Sequence, residues 1–148
     1  MDNRKYVLTE ETIVVEGCGK KLYRIKALRS FGDVKKGDLG GYIEKDDNLS
    51  HDGKCWVYND AKVYGNAEVT DNATVHDYAR ISGNAKILDN SRVYESAQVF
   101  QSAEIKGASH VCGRATVHGN TILINTIVSG HAQVIGGEYT EQHLTWFC

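Results

Sequence analysis

Aromatic, histidine and arginine residues recur at intervals of 18 positions along the middle of this chain, and they are its best candidates for chemistry. Two columns with this spacing run Trp56, Thr74, Arg92, His110 and Tyr58, His76, Tyr94, Cys112. Aromatic rings stack on planar groups, and guanidinium groups pair with phosphates or carboxylates. The columns therefore predict a site for a small anionic ligand, with a nucleotide as the leading example. The candidate ligand-binding residues are Trp56, Tyr58, Tyr64, His76, Tyr78, Arg80, Arg92, Tyr94, Phe100, His110, Arg114 and His118.

The same residue types are also enriched in protein–protein interfaces, so the sequence leaves a second interpretation open. The columns could form only a subunit contact, or a contact and a ligand cleft at once. A further possibility is general-base catalysis by histidine, for which His76 and His118 are the candidates. A general base needs a partner that orients it, and Asp77, although adjacent to His76 in sequence, need not face it at a corner.

The cysteines do not form a metal-binding motif. Cys18, Cys55, Cys112 and Cys148 are widely separated, and none belongs to a CxxC pair. Structural zinc sites usually need such pairs, so we predict no metal site. Scattered cysteines favour reduced thiols and a cytoplasmic location.

A six-residue repeat must position these side chains. From Cys55 to Asn120 the chain divides into eleven hexads, with Ala, Ser or Cys at position one and Val or Ile at position three. Positions one to three alternate inward and outward as a strand does. Gly and Asn at positions five and six favour a corner with positive φ. Three such strands form one triangular turn of 18 residues. Residues that are 18 positions apart in the sequence therefore stack on one another.

The hexads resemble those of the hexapeptide-repeat superfamily, whose fold is the left-handed parallel β-helix. This resemblance covers about residues 49–137, and the left-handedness is implied by it alone. More narrowly, Gly40-Gly41-Tyr-Ile-Glu and Cys55-Trp56-Val57 resemble the YdcK-like proteins of bacteria and phages, often called transferases from the repeat alone. We expect an all-β protein with about five coils in residues 49–137, an N-terminal β-hairpin cap in residues 1–48 and a C-terminal tail in residues 138–148.

The two ends depart from the repeat. Residues 12–15 and 22–25 predict a hairpin about Gly17 and Gly19 that covers the open edge of the first coil. Past Asn120 the register slips by one residue near residues 121–125, which would leave Ile122 and Ile127 pointing outward. An exposed apolar patch needs a cover. The tail, from Tyr139 to Phe147, is expected to lie over this patch or to reach a neighbouring chain.

Three functions stay open at this point. The first is a non-catalytic homotrimer that holds a small anionic ligand between subunits, such as a host signalling nucleotide sequestered by a phage protein. The second is an acetyl-CoA-dependent acyltransferase, which the resemblance implies, although the clean hexads lack the long loop that many such enzymes carry. The third is a structural assembly module. A net charge of −2 without a long basic run argues against general nucleic-acid binding, and no apolar stretch is long enough to predict membrane association.

Overall fold

The computed structural model describes residues 4–146, with Trp146 described by its backbone alone. The predicted tail residue Phe147 lies outside this range. The strands, in chain order, are β1 (Tyr6–Val14), β2 (Lys21–Ala27), β3 (Leu39–Ile43), β4 (Trp56–Val57), β5 (Lys62–Val63), β6 (Glu68–Val69), β7 (Thr74–Val75), β8 (Arg80–Ile81), β9 (Lys86–Ile87), β10 (Arg92–Val93), β11 (Gln98–Val99), β12 (Glu104–Lys106), β13 (His110–Val111), β14 (Thr116–His118), β15 (Ile122–Ile124), β16 (Ile127–Gly130), β17 (Gln133–Ile135), β18 (Glu138–Thr140) and β19 (His143–Trp146). A short 3-10 helix spans Asp46–Asn48, and no helix in residues 4–146 is long and apolar enough to cross a bilayer.

The hexads wind into a parallel β-solenoid with three sheets, one on each side of a triangular prism. In the described residues the sheets run β1-β2-β3-β5-β8-β11-β14-β17, β4-β7-β10-β13-β16-β19 and β6-β9-β12-β15-β18 in spatial order. Val57 pairs with Val75, and Val75 with Val93, so the predicted 18-residue stacking is confirmed. The all-β class is confirmed as well, with about six turns against the five expected. The left-handed sense of the coils stays a prediction.

A narrow core fills the prism. Every Val, Ile or Leu at hexad position three, from Val57 to Leu123, is fully buried, and so are the small residues at position one. Burying such an aliphatic side chain contributes about 1.5–3 kcal/mol. The alternation of small and branched side chains explains why the repeat tolerates so little variation at these two positions.

The corners differ from the expectation in one respect. Positive φ falls at hexad position five, and none of the asparagines at position six adopts it. Position five is Gly in several hexads, but it is Asp77, Asp89, Glu95 or Gln101 in others, with φ near 60°. Each of these side chains accepts a hydrogen bond from the backbone N–H one coil later, as Asp89 does from Gly107 at 2.9 Å. Side-chain bonding between coils thus stabilises a backbone conformation that such residues rarely adopt.

The register first slips near Asn125 and Thr126, and it slips again between Val134 and Tyr139. Val117 pairs with Val134, which is 17 positions later, and Leu123 pairs with Tyr139, which is 16 positions later. Residues 138–146, expected to form a tail, contribute the strands β18 and β19, which pair parallel with β15 and β16. They lie beside Ile122 and Ile127 in the same sheets and do not fold over them, and Ile127 keeps 38% of its surface exposed.

The N-terminal segment caps the first coil. Strands β1 and β2 form the predicted antiparallel hairpin, and β3 pairs antiparallel with β2 and parallel with β5. The motif Gly40-Gly41 lies where the cap meets the coil. A Cβ atom on Gly41 would lie 2.5 Å from the carbonyl oxygen of Ala61, so only glycine fits there. The Lys5 ammonium group, fully buried, donates to the carbonyl oxygen of Cys55 at 2.6 Å.

Candidate ligand-binding site

One side of the prism carries most of the predicted site. Strands β4, β7, β10 and β13 place Trp56, Thr74, Arg92 and His110 in register on one sheet. Tyr58, His76 and Tyr94 lie at the adjoining corner, one residue beyond the ends of β4, β7 and β10. We call the surface formed by Tyr58, Thr74, His76, Arg92, Tyr94 and His110 the Arg92 face.

Arg92 lies among four rings on this face. Its charge acts on Tyr58, His76, Tyr94 and His110, and it lowers the pKa of both histidines. Within residues 4–146 it forms no ion pair, unlike Arg24, which binds Glu11 and Asp60. An exposed guanidinium without an anionic partner is available to an anionic ligand.

A ring-lined pocket of about 220 Å³ opens beside Arg92. Its other lining residues are His76, Asp77, Tyr94 and His110. The Tyr94 and His110 rings meet edge to face at 5.9 Å, and the Tyr94 hydroxyl lies 3.5 Å from Nδ1 of His110. A hydrogen bond with Cys112, together with burial, raises the pKa of Tyr94 to about 12. Burial is the main cause that lowers the pKa of His76 and His110 below 6.5, so both imidazoles are neutral at pH 7.

A second, more polar pocket of about 330 Å³ shares His76 and Arg92 with the first. It lies between the coils and a tight turn of the cap at Gly32 and Asp33. The Tyr58 hydroxyl donates to Oδ1 of Asp33 at 2.6 Å, and the Tyr58 ring stacks on His76 at 4.3 Å. The residues that line this pocket are Gly32, Asp33, Lys54, Tyr58, Asn72, Thr74, His76, Asn90 and Arg92.

The structure brings part of the predicted set together and separates the rest. Tyr58, His76, Arg92, Tyr94 and His110 line the two pockets. Trp56 belongs to the same column, but its placement on a ligand-binding surface is wrong for this chain. Its ring is 1% exposed, because the cap packs Phe31 and Tyr6 against it.

The other predicted residues lie elsewhere on the prism. Arg80 is on the neighbouring face, in β8, and Tyr78 and Arg114 lie across the corner from the pockets, with Tyr78 65% exposed. Tyr64 packs against a small cluster of the cap, and the ring of Phe100 stacks on that of His118 at 4.5 Å on another corner. Within one chain, these residues therefore do not line the same pockets as Arg92.

The sequence prediction missed the polar half of the site. Lys54, Asn72 and Asn90 form their own column with the 18-residue spacing, so the same period could have identified them. Asp33 could not be found this way, because it comes from the non-repeating cap.

The histidines proposed as bases lack a carboxylate partner within residues 4–146. Nδ1 of His118 lies 3.2 Å from Oε1 of Gln101, and Asp77 accepts a hydrogen bond from the backbone of Glu95 at 3.0 Å. In the same range, no group of three or more His, Cys, Asp or Glu residues is arranged to hold a metal ion.

Comparison with known proteins shows a similarity over part of the chain. No protein-family model matches the chain. The chain is 35% identical over 66 residues to a protein of Escherichia coli strain K12 named uncharacterized acetyltransferase YdcK. The match covers 40% of this chain and 20% of that protein, so the chain spans only about a fifth of the relative's length. By this similarity and by its stacked parallel strands, the chain fits the hexapeptide-repeat β-helix superfamily.

Proposed function

We propose that this protein binds a small anionic ligand on the Arg92 face and does not transform it. The observation that carries the proposal is the position of Arg92, which lines both pockets and forms no ion pair within residues 4–146. A ligand that brings an anionic group to this guanidinium would place its remainder against the neighbouring rings.

The rings favour a ligand with a planar part, such as a nucleotide. The pocket walls offer the faces or edges of His76, Tyr94 and His110, and ring-to-ring contacts add about 0.5–1.5 kcal/mol beyond burial. In a cytoplasmic homotrimer, the exposed Tyr78 and Arg80 of the next prism would extend the surface around the ligand. Sequestration of a signalling nucleotide, for a phage or a bacterium, is one use of such a site.

Calorimetric titration with adenosine monophosphate tests this proposal. Replacing Arg92 by Met should weaken binding about tenfold or more, since a charge-assisted hydrogen bond contributes about 1.5–3 kcal/mol. Lys86→Met, which removes one positive charge from another face, is the matched control and should bind as the wild type does. Equal binding by the Arg92 variant and the control would refute this site.

Binding should also depend on pH in a defined direction. Burial and the charge of Arg92 lower the pKa of His76 and His110, and a bound anion would raise both again. Binding should therefore take up protons as the pH falls below 7, because the bound anion favours the charged form of both imidazoles. A double substitution of both histidines by Gln should flatten this dependence.

Acetyl transfer is the second candidate, favoured by the similarity to a relative named an acetyltransferase. In that case His76 or His118 would act as the base, and acetyl-CoA would be the donor. Turnover of acetyl-CoA that is lost in His76→Ala or His118→Ala would support this function over simple binding. Turnover that survives both substitutions would remove these residues from consideration.

A further inference from the structure

We propose that the anionic part of the ligand is a sugar-linked phosphoryl group, held between Lys54 and Arg92 in the polar pocket beneath the cap. This inference rests on the proposed binding function and gives its ligand a chemical class. It also makes the cap part of the site, beyond its role in covering the first coil.

Hydrogen-bond donors dominate the coil side of this pocket. Lys54 and Arg92 form no ion pair within residues 4–146, so both charges are available. Asn72 uses its side-chain oxygen to accept from the backbone N–H of Lys54 at 3.3 Å, which leaves its amide donors for a ligand. Two cations and carboxamide donors around one pocket match the several acceptor oxygens of a phosphoryl group.

Thr74, which also lines this pocket, supports the same conclusion. Its hydroxyl is the one buried side-chain polar atom in residues 4–146 without a hydrogen-bond partner. Buried polar groups are nearly always paired, so an unpaired one asks for an explanation. Thr74 is the strand partner of Arg92. A phosphoryl oxygen held beside Arg92 in this pocket, which Thr74 also lines, would give the hydroxyl an acceptor.

The cap supplies the opposite wall and holds it firmly. Phe31 and Val34 exchange backbone hydrogen bonds at 2.9 and 2.8 Å, which closes a two-residue turn over Gly32 and Asp33. The Phe31 ring packs edge to face on the buried Trp56 ring at 5.2 Å and fixes the turn on the coil. This packing explains why Trp56, the first residue of its column, is buried, whereas Arg92 in the same column is exposed.

Asp33 determines what accompanies the phosphoryl group. One of its carboxylate oxygens accepts from Tyr58, and the other is left for a donor. A carboxylate would repel a phosphate placed against it but would accept a hydrogen bond from a neighbouring hydroxyl group. The pocket therefore suits a sugar phosphate, with the ring-lined pocket beyond Arg92 available for a base.

Titration of three probes separates the parts of this proposal. Adenosine monophosphate, ribose 5-phosphate and inorganic phosphate should bind the wild type with decreasing affinity. Ribose 5-phosphate lacks the contacts of the base, and inorganic phosphate lacks those of the base and the sugar. Lys54→Met should weaken ribose 5-phosphate about tenfold or more, and Asn90→Ala should weaken it by a smaller factor. Lys86→Met is again the matched control, and circular dichroism checks that each variant folds.

The outcomes distinguish this inference from the proposed function. If Arg92→Met loses binding while Lys54→Met behaves as the control does, the ligand lies in the ring-lined pocket alone and the phosphoryl placement is overturned. If adenosine binds as tightly as adenosine monophosphate, the phosphoryl group is not recognised and the inference is also overturned. If no probe binds the wild type, both proposals fail.

Discussion

Asp89 offers the sharpest test of how the corners of the solenoid are stabilised. The residue has a φ of 59°, and Oδ2 of its carboxylate accepts a hydrogen bond from the Gly107 N–H at 2.9 Å. In Asp89→Ala the left-handed backbone stays while the acceptor is lost. The lost bond to a half-exposed charged acceptor should cost about 1.5 kcal/mol. Alanine in the left-handed region adds about 1 kcal/mol.

The expected loss is therefore about 2.5 kcal/mol in the free energy of unfolding. For a chain of this length it corresponds to a fall of about 5–10 °C in Tm, measurable by circular dichroism or scanning calorimetry. Asp89→Asn is the matched control, because asparagine keeps the acceptor and tolerates positive φ, and its Tm should change by less than half as much. Equal Tm values for the two variants would refute the role assigned to this hydrogen bond.

Two further predictions concern the cap. In Gly41→Ala the new Cβ atom would meet the Ala61 carbonyl oxygen at 2.5 Å and Cγ1 of Val57 at 2.6 Å, and neither can move freely. We expect a loss of about 3 kcal/mol or more by urea unfolding, and wild-type stability would contradict this packing. The hydrogen bond from Arg24 holds the pKa of Glu11 below its ordinary 4.5, so Glu11 stabilises the fold above that pH and loses this effect as the pH falls through its lowered pKa. Glu11→Gln should thus be less stable than the wild type at pH 7, and the gap should narrow as the pH falls below 4.5, whereas a gap that keeps the same size would contradict the pairing.

The repeat made the core and its register predictable, because small and branched residues at fixed positions fit only a narrow triangular interior. The corners were less predictable. Backbone preferences alone suggested Gly or Asn at positive φ, whereas residues such as Glu95 and Gln101 adopt it. Their side chains bond to the backbone of the next coil, and this contact between coils depends on the stacking and not on the residue's own preference.

The site was predictable to the extent that it follows the same period. The 18-residue spacing placed His76, Arg92 and His110 on one side of the prism, and the structure brings them together. The same spacing misplaced Trp56, since the cap that buries it comes from outside the repeat. Asp33 was missed for the same reason, because its contact with Tyr58 joins residues that no pattern relates.

Native mass spectrometry of the freshly purified protein, compared with Arg92→Met purified in parallel, tests the central claim most directly. We predict that the wild type carries a small anionic molecule, released and identified after denaturation, and that the variant carries none. A ligand-free wild type that gains no mass with adenosine monophosphate or ribose 5-phosphate would contradict the claim, as would a variant that retains the same molecule.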